Sequence, residues 1–294
     1  TAVSLPAPAG AVYTMTNDAA GNHVVMYPRS ASGQLGAPTM IATGGLGSGG
    51  GLGNQGSVVL SDDGRWLYAV NAGSDEVSVF AVGQAGLSLV QTMATDGDRP
   101  VSVTQSGDLV YVLNAGSDSI AGFHQGHDGR LTPIAGSVRP LSGAGVAAAQ
   151  IEFGPAGRAL VVTEKATDKL VVYEVDRDGV PEAAPEVVAS AGPTPFGFAF
   201  GLRGEVFVSE AAGGAPGVSS VSSYKLTRDG TLDVVSGAAA TNQTASCWIA
   251  VTPDGRYVYS AVAGSSAISG YHVKPGGEIT LLDADGITAS TGAG

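Results

Sequence analysis

A near-verbatim internal repeat constrains the fold of this chain more than any other feature. The stretch LYAVNAGSDEVSVF at 67–80 returns as LVYVLNAGSDSIAGF at 109–123. Weaker copies follow, so that equivalent positions of the first tyrosine recur at intervals of about 43 to 55 residues, the range of propeller blades. These positions are Tyr13, Tyr68, Tyr111, Val161, Phe207 and Tyr259. Such a unit cannot bury both of its faces alone, and we therefore expect neighbouring copies to stack.

Each copy has the pattern of four short strands. An apolar first strand precedes a glycine turn, then come the LYAVN-type strand, a third strand that ends on an aromatic residue, a second turn and a fourth strand. The predicted first strands are AVSL at 2–5, SVVL at 57–60, VSVT at 101–104, QIEF at 150–153, FGFAF at 196–200 and WIAV at 248–251. The third-strand aromatics are Tyr27, Phe80, Phe123, Tyr173, Tyr224 and Tyr271.

The predicted fold is all-β, a β-propeller of four-stranded antiparallel blades with six repeats visible. We expect one domain over 1–294, with approximate blades at 1–43, 57–96, 99–141, 149–191, 194–240 and 246–290. A β-sandwich is the alternative. The glycine-rich loop, residues 44–57, contains a G-x-G-x-x-G match, but no amphipathic helix follows it, so we interpret it as an extended connection and not as a dinucleotide site.

Composition limits the partners of the chain. With 14 basic against 26 acidic residues the net charge is −12, which disfavours nucleic acid and anionic lipid. No apolar run approaches the ~18 residues of a membrane span, so membrane insertion is not expected. The single cysteine, Cys247, permits no internal disulfide, and no cysteine cluster joins the two histidines His124 and His127 to make a zinc site. We expect no metal and no cofactor, export to the periplasm or outside the cell, and a small-molecule ligand; the oligomeric state is left open.

At YAVN (68–71) and YVLN (111–114) the chain resembles the YVTN-repeat, lactonase-like propellers, which include 6-phosphogluconolactonase-type and carboxymuconate-cyclising members. The resemblance covers essentially the whole chain. It implies binding, and hydrolysis or isomerisation, of a small lactone or sugar acid in the central channel. Such propellers usually have seven blades. Either this is a six-bladed form or a seventh blade is absent from the sequence, and the second is favoured because an unclosed ring exposes strand edges.

The candidate site residues come from the loops around the channel. The position of Asn71 becomes Glu164 and Glu210 in the fourth and fifth repeats, and we predict these two glutamates as the catalytic pair. The predicted ligand-binding residues are Asn71, Arg99, Asn114, Gln150, Phe196 and Trp248. Three alternatives stay open: the glutamates pair with local lysines, Arg99 pairs with Asp96 or Asp98, and the two aromatic residues wedge between blades.

Departures from the family pattern leave catalysis open. Where the resemblance places a His-x-His pair, the chain has Ala147 and Ala149, and the Arg and His of a Pro-Arg-His segment are Phe196 and Gly197. If the protein is an enzyme, we expect a lactone hydrolase or a cycloisomerase. The alternatives are a non-catalytic exported propeller that binds carbohydrate, peptide or protein partners, and a purely structural module.

Overall fold

The structure is a computed structural model that describes residues 9–292. The predicted first strand at 2–5 lies outside the described residues. Sheet I has three antiparallel strands: β1 (Gly10–Met15), β2 (His23–Arg29) and β3 (Thr39–Ala42). Sheet II has four: β4 (Val58–Leu60), β5 (Trp66–Asn71), β6 (Glu76–Gly83) and β7 (Gly86–Ala94).

The next four sheets repeat this arrangement. Sheet III contains β8 (Pro100–Ser106), β9 (Leu109–Asn114), β10 (Ser119–Gln125), β11 (Leu131–Pro133) and β12 (Arg139–Pro140). Sheet IV contains β13 (Ala148–Phe153), β14 (Ala159–Glu164), β15 (Lys169–Glu174) and β16 (Glu186–Ala189). Sheet V contains β17 (Pro195–Phe200), β18 (Glu205–Glu210), β19 (Ser220–Leu226) and β20 (Leu232–Ala240). Sheet VI contains β21 (Ser246–Val251), β22 (Tyr257–Val262), β23 (Ala267–Val273), β24 (Ile279–Leu281) and β25 (Ala289–Ser290).

The predicted all-β propeller of antiparallel blades is confirmed. Every strand pair is antiparallel, and each sheet follows the chain order, with two short extra strands, β12 and β25, beside the third strands of sheets III and VI. Helical structure within 9–292 amounts to two 3₁₀ turns, Ala212–Gly214 and Ala263–Ser265. Neither turn has the length or the apolar character that crossing a bilayer requires.

Alternate residues of the repeated motif pack against opposite neighbours. In β5, Leu67 and Ala69 face sheet I, whereas Tyr68 and Val70 face sheet III. All four are fully buried. A strand enclosed on both faces reads as a continuous apolar run, which explains the LYAVN pattern.

Tyrosine hydroxyls link successive sheets. Tyr68 of sheet II donates to Gln125 Oε1 of sheet III at 2.7 Å, and Tyr111 of sheet III donates to the Gly179 carbonyl of sheet IV at 2.5 Å. The third-strand tyrosines bond backwards: Tyr271 of sheet VI donates to the Ala239 carbonyl of sheet V at 3.0 Å. The repeated aromatic positions therefore join sheets to one another as well as filling the core.

The two end sheets each expose one face. Val12 of sheet I is 43% exposed and Met40 is 57% exposed, both on the face away from sheet II. On sheet VI, Val258 is buried against sheet V, but Tyr257 and Tyr259, on the opposite face, are only partly buried. These two end faces do not pack on each other, so the six sheets described by residues 9–292 form an open ring.

We predict that Tyr111→Phe lowers the free energy of unfolding by about 1–2 kcal/mol, because the buried Gly179 carbonyl loses its donor. Urea denaturation followed by circular dichroism measures this. Tyr27→Phe is the matched control, since the Tyr27 hydroxyl has no hydrogen-bond partner among residues 9–292 and Tyr27 is partly exposed. Equal stability of the two variants would contradict the proposed link between sheets III and IV.

Candidate functional site

The predicted asparagines anchor the loops that lead into their own sheets. Asn71 donates to Ser78 Oγ at 2.8 Å and accepts from Asn22 Nδ2 at 3.0 Å, and a Cβ atom on Gly45 would lie 2.5 Å from its side chain. Asn114 donates to the Thr95 carbonyl at 3.1 Å. Both asparagines are fully buried. Both side chains lie at the base of a connecting loop. Their role in ligand binding stays a prediction.

Glu164 occupies the equivalent position in sheet IV. Its carboxylate accepts from the Ser142 amide at 2.9 Å, from Ser142 Oγ at 2.6 Å and from Thr167 Oγ1 at 2.7 Å. Ser142 lies in the loop that leads into sheet IV. The nearby ammonium group of Lys169 donates to Ser142 Oγ at 3.2 Å. The carboxylate is fully buried and has a complete set of donors within the protein.

Glu210 repeats this arrangement in sheet V with different partners. It accepts from the Gly192 amide at 2.9 Å and from the hydroxyls of Ser220 and Ser222. No basic side chain within 9–292 forms an ion pair with it. Burial raises the pKa of Glu210, while its hydrogen bonds oppose that shift. Glu164 and Glu210 share no hydrogen-bond partner, and neither lines the channel cavity described next; their catalytic role stays a prediction.

The first strands of the sheets surround the channel. Between β4, β8 and β13 lies the channel cavity, about 420 Å³ in volume and open towards the glycine turns. Its polar lining residues include Gln55, Thr104, Gln105, Gln150 and Glu152. This volume falls within the range of small-molecule sites.

Glu152 is a site residue that the sequence analysis missed. Its carboxyl Oε2 accepts from Gln150 Nε2 at 2.8 Å. Burial inside the ring raises the pKa of Glu152 to about 8, and the bond from Gln150 only partly opposes this. The group is therefore largely neutral at pH 7, able to donate a proton. The alternation in QIEF contained a signal: Ile151 and Phe153 pack in the core, so Gln150 and Glu152 face the channel.

Two glutamines join the first strands around the channel. Gln150, which was predicted as a ligand-binding residue, is buried; it donates to the Phe198 carbonyl at 2.9 Å and accepts from the Phe198 amide at 2.7 Å. Gln55 donates to the Phe198 and Ile249 carbonyls at 3.2 Å each and accepts from the Ile249 amide at 3.0 Å. These bonds tie sheets IV, V and VI together and hold Gln150 in place beside Glu152.

The glycine-rich loop crosses the channel. It contains no helix, as expected, and its last residues bond to other sheets before the chain enters sheet II: the Gln55 amide donates to the Ala149 carbonyl of sheet IV at 3.2 Å, and the Gly56 carbonyl accepts from Val103 of sheet III at 2.9 Å. A Cβ atom on Gly197 would lie 2.4 Å from Gln55 Oε1. The loop thus occupies the space beside two positions, Ala149 and Gly197, at which the family resemblance places histidines.

A cationic and aromatic cluster lies at the opposite, loop end of the channel. Lys165 Nζ is 4.8 Å from the centre of the Phe196 ring and donates to the Gly53 carbonyl. Phe196 packs edge-to-face on Trp248, with ring centres 5.9 Å apart. Trp248 Nε1 donates to the Asn54 carbonyl at 2.9 Å, yet 44% of the residue is exposed. The predicted residues Phe196 and Trp248 are therefore brought together, beside a lysine that the sequence analysis did not select.

Arg99 also lies at this end. The alternative pairing with Asp96 or Asp98 is not formed: within residues 9–292 Arg99 has no ion pair, and its backbone amide donates to Asp75 Oδ1 at 2.7 Å. Its positive charge contributes to lowering the pKa of Lys165, after burial as the larger cause.

A larger groove, about 850 Å³, lies away from the channel between the turns of sheets IV and V. It is lined by turn residues such as Pro155, Arg158, Arg203 and Gly230. Arg203 pairs with Glu205 at 2.8 Å, so its charge is compensated there. No group of three or more metal-ligating residues comes together anywhere in the described part of the chain.

Fold and channel together define a β-propeller with a polar, partly plugged central channel. Residues 21–141 match the sequence model of the family described as "Lactonase, 7-bladed beta-propeller". A search of curated proteins gave no match.

Solved structures with the same fold include a periplasmic gluconolactonase of Pseudomonas aeruginosa (17% identity, 97% of this chain and 84% of that chain, TM-score 0.73). A Lactobacillus plantarum protein aligns at 16% identity over 96% and 83% (TM-score 0.76). A Bacteroides uniformis protein, provisionally described as a 6-phosphogluconolactonase, aligns at 20% identity over 88% and 77% (TM-score 0.71). These structural matches show that the chain shares the propeller fold, and its residues 21–141 are similar in sequence to the lactonase propellers.

We predict that Glu152 makes the protein less stable as pH rises. Its pKa is raised on folding, so between about pH 5 and pH 8 the folded state holds a proton that the unfolded state has lost, and stability falls by up to about 1.4 kcal/mol per pH unit. Glu152→Gln should remove this slope. The measurement is urea unfolding of both proteins across that range; parallel stability curves would show that Glu152 is not held neutral.

Proposed function

We propose that this protein is a lactonase-type propeller that binds a small lactone in the channel cavity and hydrolyses it to the hydroxy acid. The observation that carries the proposal is Glu152, a carboxyl with a pKa raised to about 8, lining a cavity of about 420 Å³ inside the ring. A titratable group shifted by burial inside a cavity is typical of acid–base sites.

The chemistry requires one proton transfer in each direction. Water adds to the lactone carbonyl carbon, the ring C–O bond breaks, and the ring oxygen must receive a proton as it leaves. Neutral Glu152 can donate that proton and recover one from the attacking water, so one water is consumed and the carboxyl is restored. Gln150 holds Oε2 of Glu152 from one side at 2.8 Å, and Oε1 has no hydrogen-bond partner among residues 9–292.

The lining of the cavity suits a small polar ring. Thr104 Oγ1 accepts from the Phe153 amide at 3.1 Å, which leaves its hydroxyl proton free to donate. Most of the remaining lining is backbone and aliphatic side chains, including Val58, Val103 and Ile151. The cavity therefore combines polar groups that can bind ring substituents with aliphatic surface for the ring itself.

The comparisons support the same class of reaction and a location outside the cytoplasm. The family model is that of a lactonase, and the Pseudomonas aeruginosa structure is by its name a periplasmic gluconolactonase. We extend lactone hydrolysis and export to this chain as part of the proposal. The family histidine positions are lost, so we assign the proton transfer to Glu152 instead.

The test is hydrolysis of a panel of sugar and aliphatic lactones by pH-stat, corrected for the spontaneous rate, from about pH 6 to about pH 9. We expect kcat/KM of the parent protein to fall about tenfold per pH unit above about pH 8, where Glu152 loses its proton. Glu152→Gln should lower kcat/KM at pH 7 at least about 100-fold.

The control is the double variant Glu164→Gln/Glu210→Gln, with circular dichroism to confirm folding. Activity retained there and lost in Glu152→Gln supports the proposal. Activity lost only in the folded double variant would return the catalytic role to those two glutamates. No turnover of any lactone in the panel by the folded parent protein would overturn the proposal.

A further inference from the structure

The loop end of the channel presents positive charge in an acidic protein. The chain has a net charge of −12, yet neither Lys165 nor Arg99 has a carboxylate within 4 Å of its charged group among residues 9–292, and Arg99 is near enough for its charge to lower the pKa of Lys165. Two arginines in the glycine turns behave differently: Arg65 and Arg256 each pair with an aspartate two residues earlier. The positive charges of Lys165 and Arg99 have no ion-pair partner in the described part of the chain and repel each other. Binding of an anion to them would therefore be electrostatically favourable.

An aromatic surface, formed by Phe196 and Trp248, lies directly beside Lys165. Trp248 is 44% exposed, although its indole N–H is already bonded to the Asn54 carbonyl. Because this bond and the Phe196 ring fix the indole in place, its exposed ring presents a rigid apolar platform. The Lys165 ammonium group lies over the Phe196 ring and donates to the Gly53 carbonyl, so two contacts fix its position.

The glycine-rich loop supplies the backbone groups that hold the side chains of this surface in place. Gly53 and Asn54 supply the carbonyls that bind Lys165 and Trp248, and Gln55 continues into the channel towards Ile249. The loop therefore separates the cationic cluster from the channel cavity that contains Glu152. The two regions are distinct, and the cationic cluster is independent of the proposed lactonase activity at Glu152.

We propose that Lys165, Arg99, Phe196 and Trp248 form a second binding site, for a small ring-bearing carboxylate. The carboxylate is bound by Lys165 and Arg99, and the ring lies on the exposed face of Trp248. Charge-assisted hydrogen bonds to a carboxylate contribute more than neutral ones, and Arg is suited to hold both carboxylate oxygens. The ring is either that of a sugar acid or an aromatic ring, since both pack on an indole face.

Tryptophan fluorescence tests this site directly, because the chain has two tryptophans, Trp66 and Trp248. A Trp66→Phe background leaves Trp248 as the single reporter. Glucuronate and benzoate are the two ring-bearing carboxylates, glucose is the ring without the charge, and acetate is the charge without the ring. Isothermal titration calorimetry, run alongside, detects binding that leaves the fluorescence unchanged.

We expect glucuronate or benzoate to change Trp248 emission with a saturable dependence, and glucose and acetate to bind at least about tenfold more weakly. Lys165→Met should raise the dissociation constant at least about tenfold, and Lys165→Arg should restore most of the affinity. Lys169→Met is the matched control: it lies in the same TEKATDK segment, but its ammonium group contacts Ser142 and not the cluster.

Several results would overturn the proposal. These are equal affinity in Lys165→Met and Lys169→Met, equal binding of glucose or acetate, and no binding of either ring-bearing carboxylate by calorimetry. Preference between glucuronate and benzoate decides which ring the site takes. Lactone hydrolysis, measured on the same Lys165→Met protein, should be unchanged, so failure of this site and failure of the Glu152 proposal are separate results.

Discussion

Every sheet of this protein must bury two apolar faces, and the rest of the structure depends on that requirement. Leu67 and Tyr68 are neighbours in β5, yet they enter different cores on opposite sides of the same strand. No sheet can satisfy this alone, so the chain repeats the unit and stacks it. Where the stacking stops, at sheets I and VI, apolar side chains such as Val12 and Met40 are exposed.

Stacking around an axis also produces an interior that differs from the cores between sheets. The first strands meet at the channel, where the amide side chains of Gln150 and Gln55 provide hydrogen bonds between sheets. Gln150 bonds both backbone groups of Phe198, and Gln55 does the same across to Ile249. A carboxyl placed among these groups is partly shielded from bulk water, and this desolvation raises the pKa of Glu152. The raised pKa of Glu152 is thus a consequence of the propeller architecture.

The fate of the predicted glutamates shows how a substitution within a repeat can have a structural role. Glu164 and Glu210 replace the asparagines that other repeats have at the same position. Because charged residues are scarce in this chain, the sequence analysis interpreted this replacement as functional. In the structure each carboxylate accepts hydrogen bonds from the loop that leads into its own sheet, Ser142 in one case and Gly192 in the other. Asn71, Asn114, Glu164 and Glu210 therefore all lie where a connecting loop meets its sheet.

The sequence by itself determined the fold class, the positions of most strands and the location of the glycine turns. These follow from local patterns: apolar runs of strand length, turn residues at regular spacing and one motif repeated closely enough to be aligned. It also identified Gln150, Phe196 and Trp248 as residues near the channel, because each begins a predicted first strand.

Only the tertiary structure decided which of these residues act together. Gln55 meets Ile249 across 194 positions of sequence, and Lys165 meets Gly53 across 112. The course of the glycine-rich loop through the channel depends on the absence of a side chain at Gly197, far along the chain. Contacts of this kind, between distant segments that only the stacking of the sheets around the channel brings together, leave no periodic or local trace in the sequence.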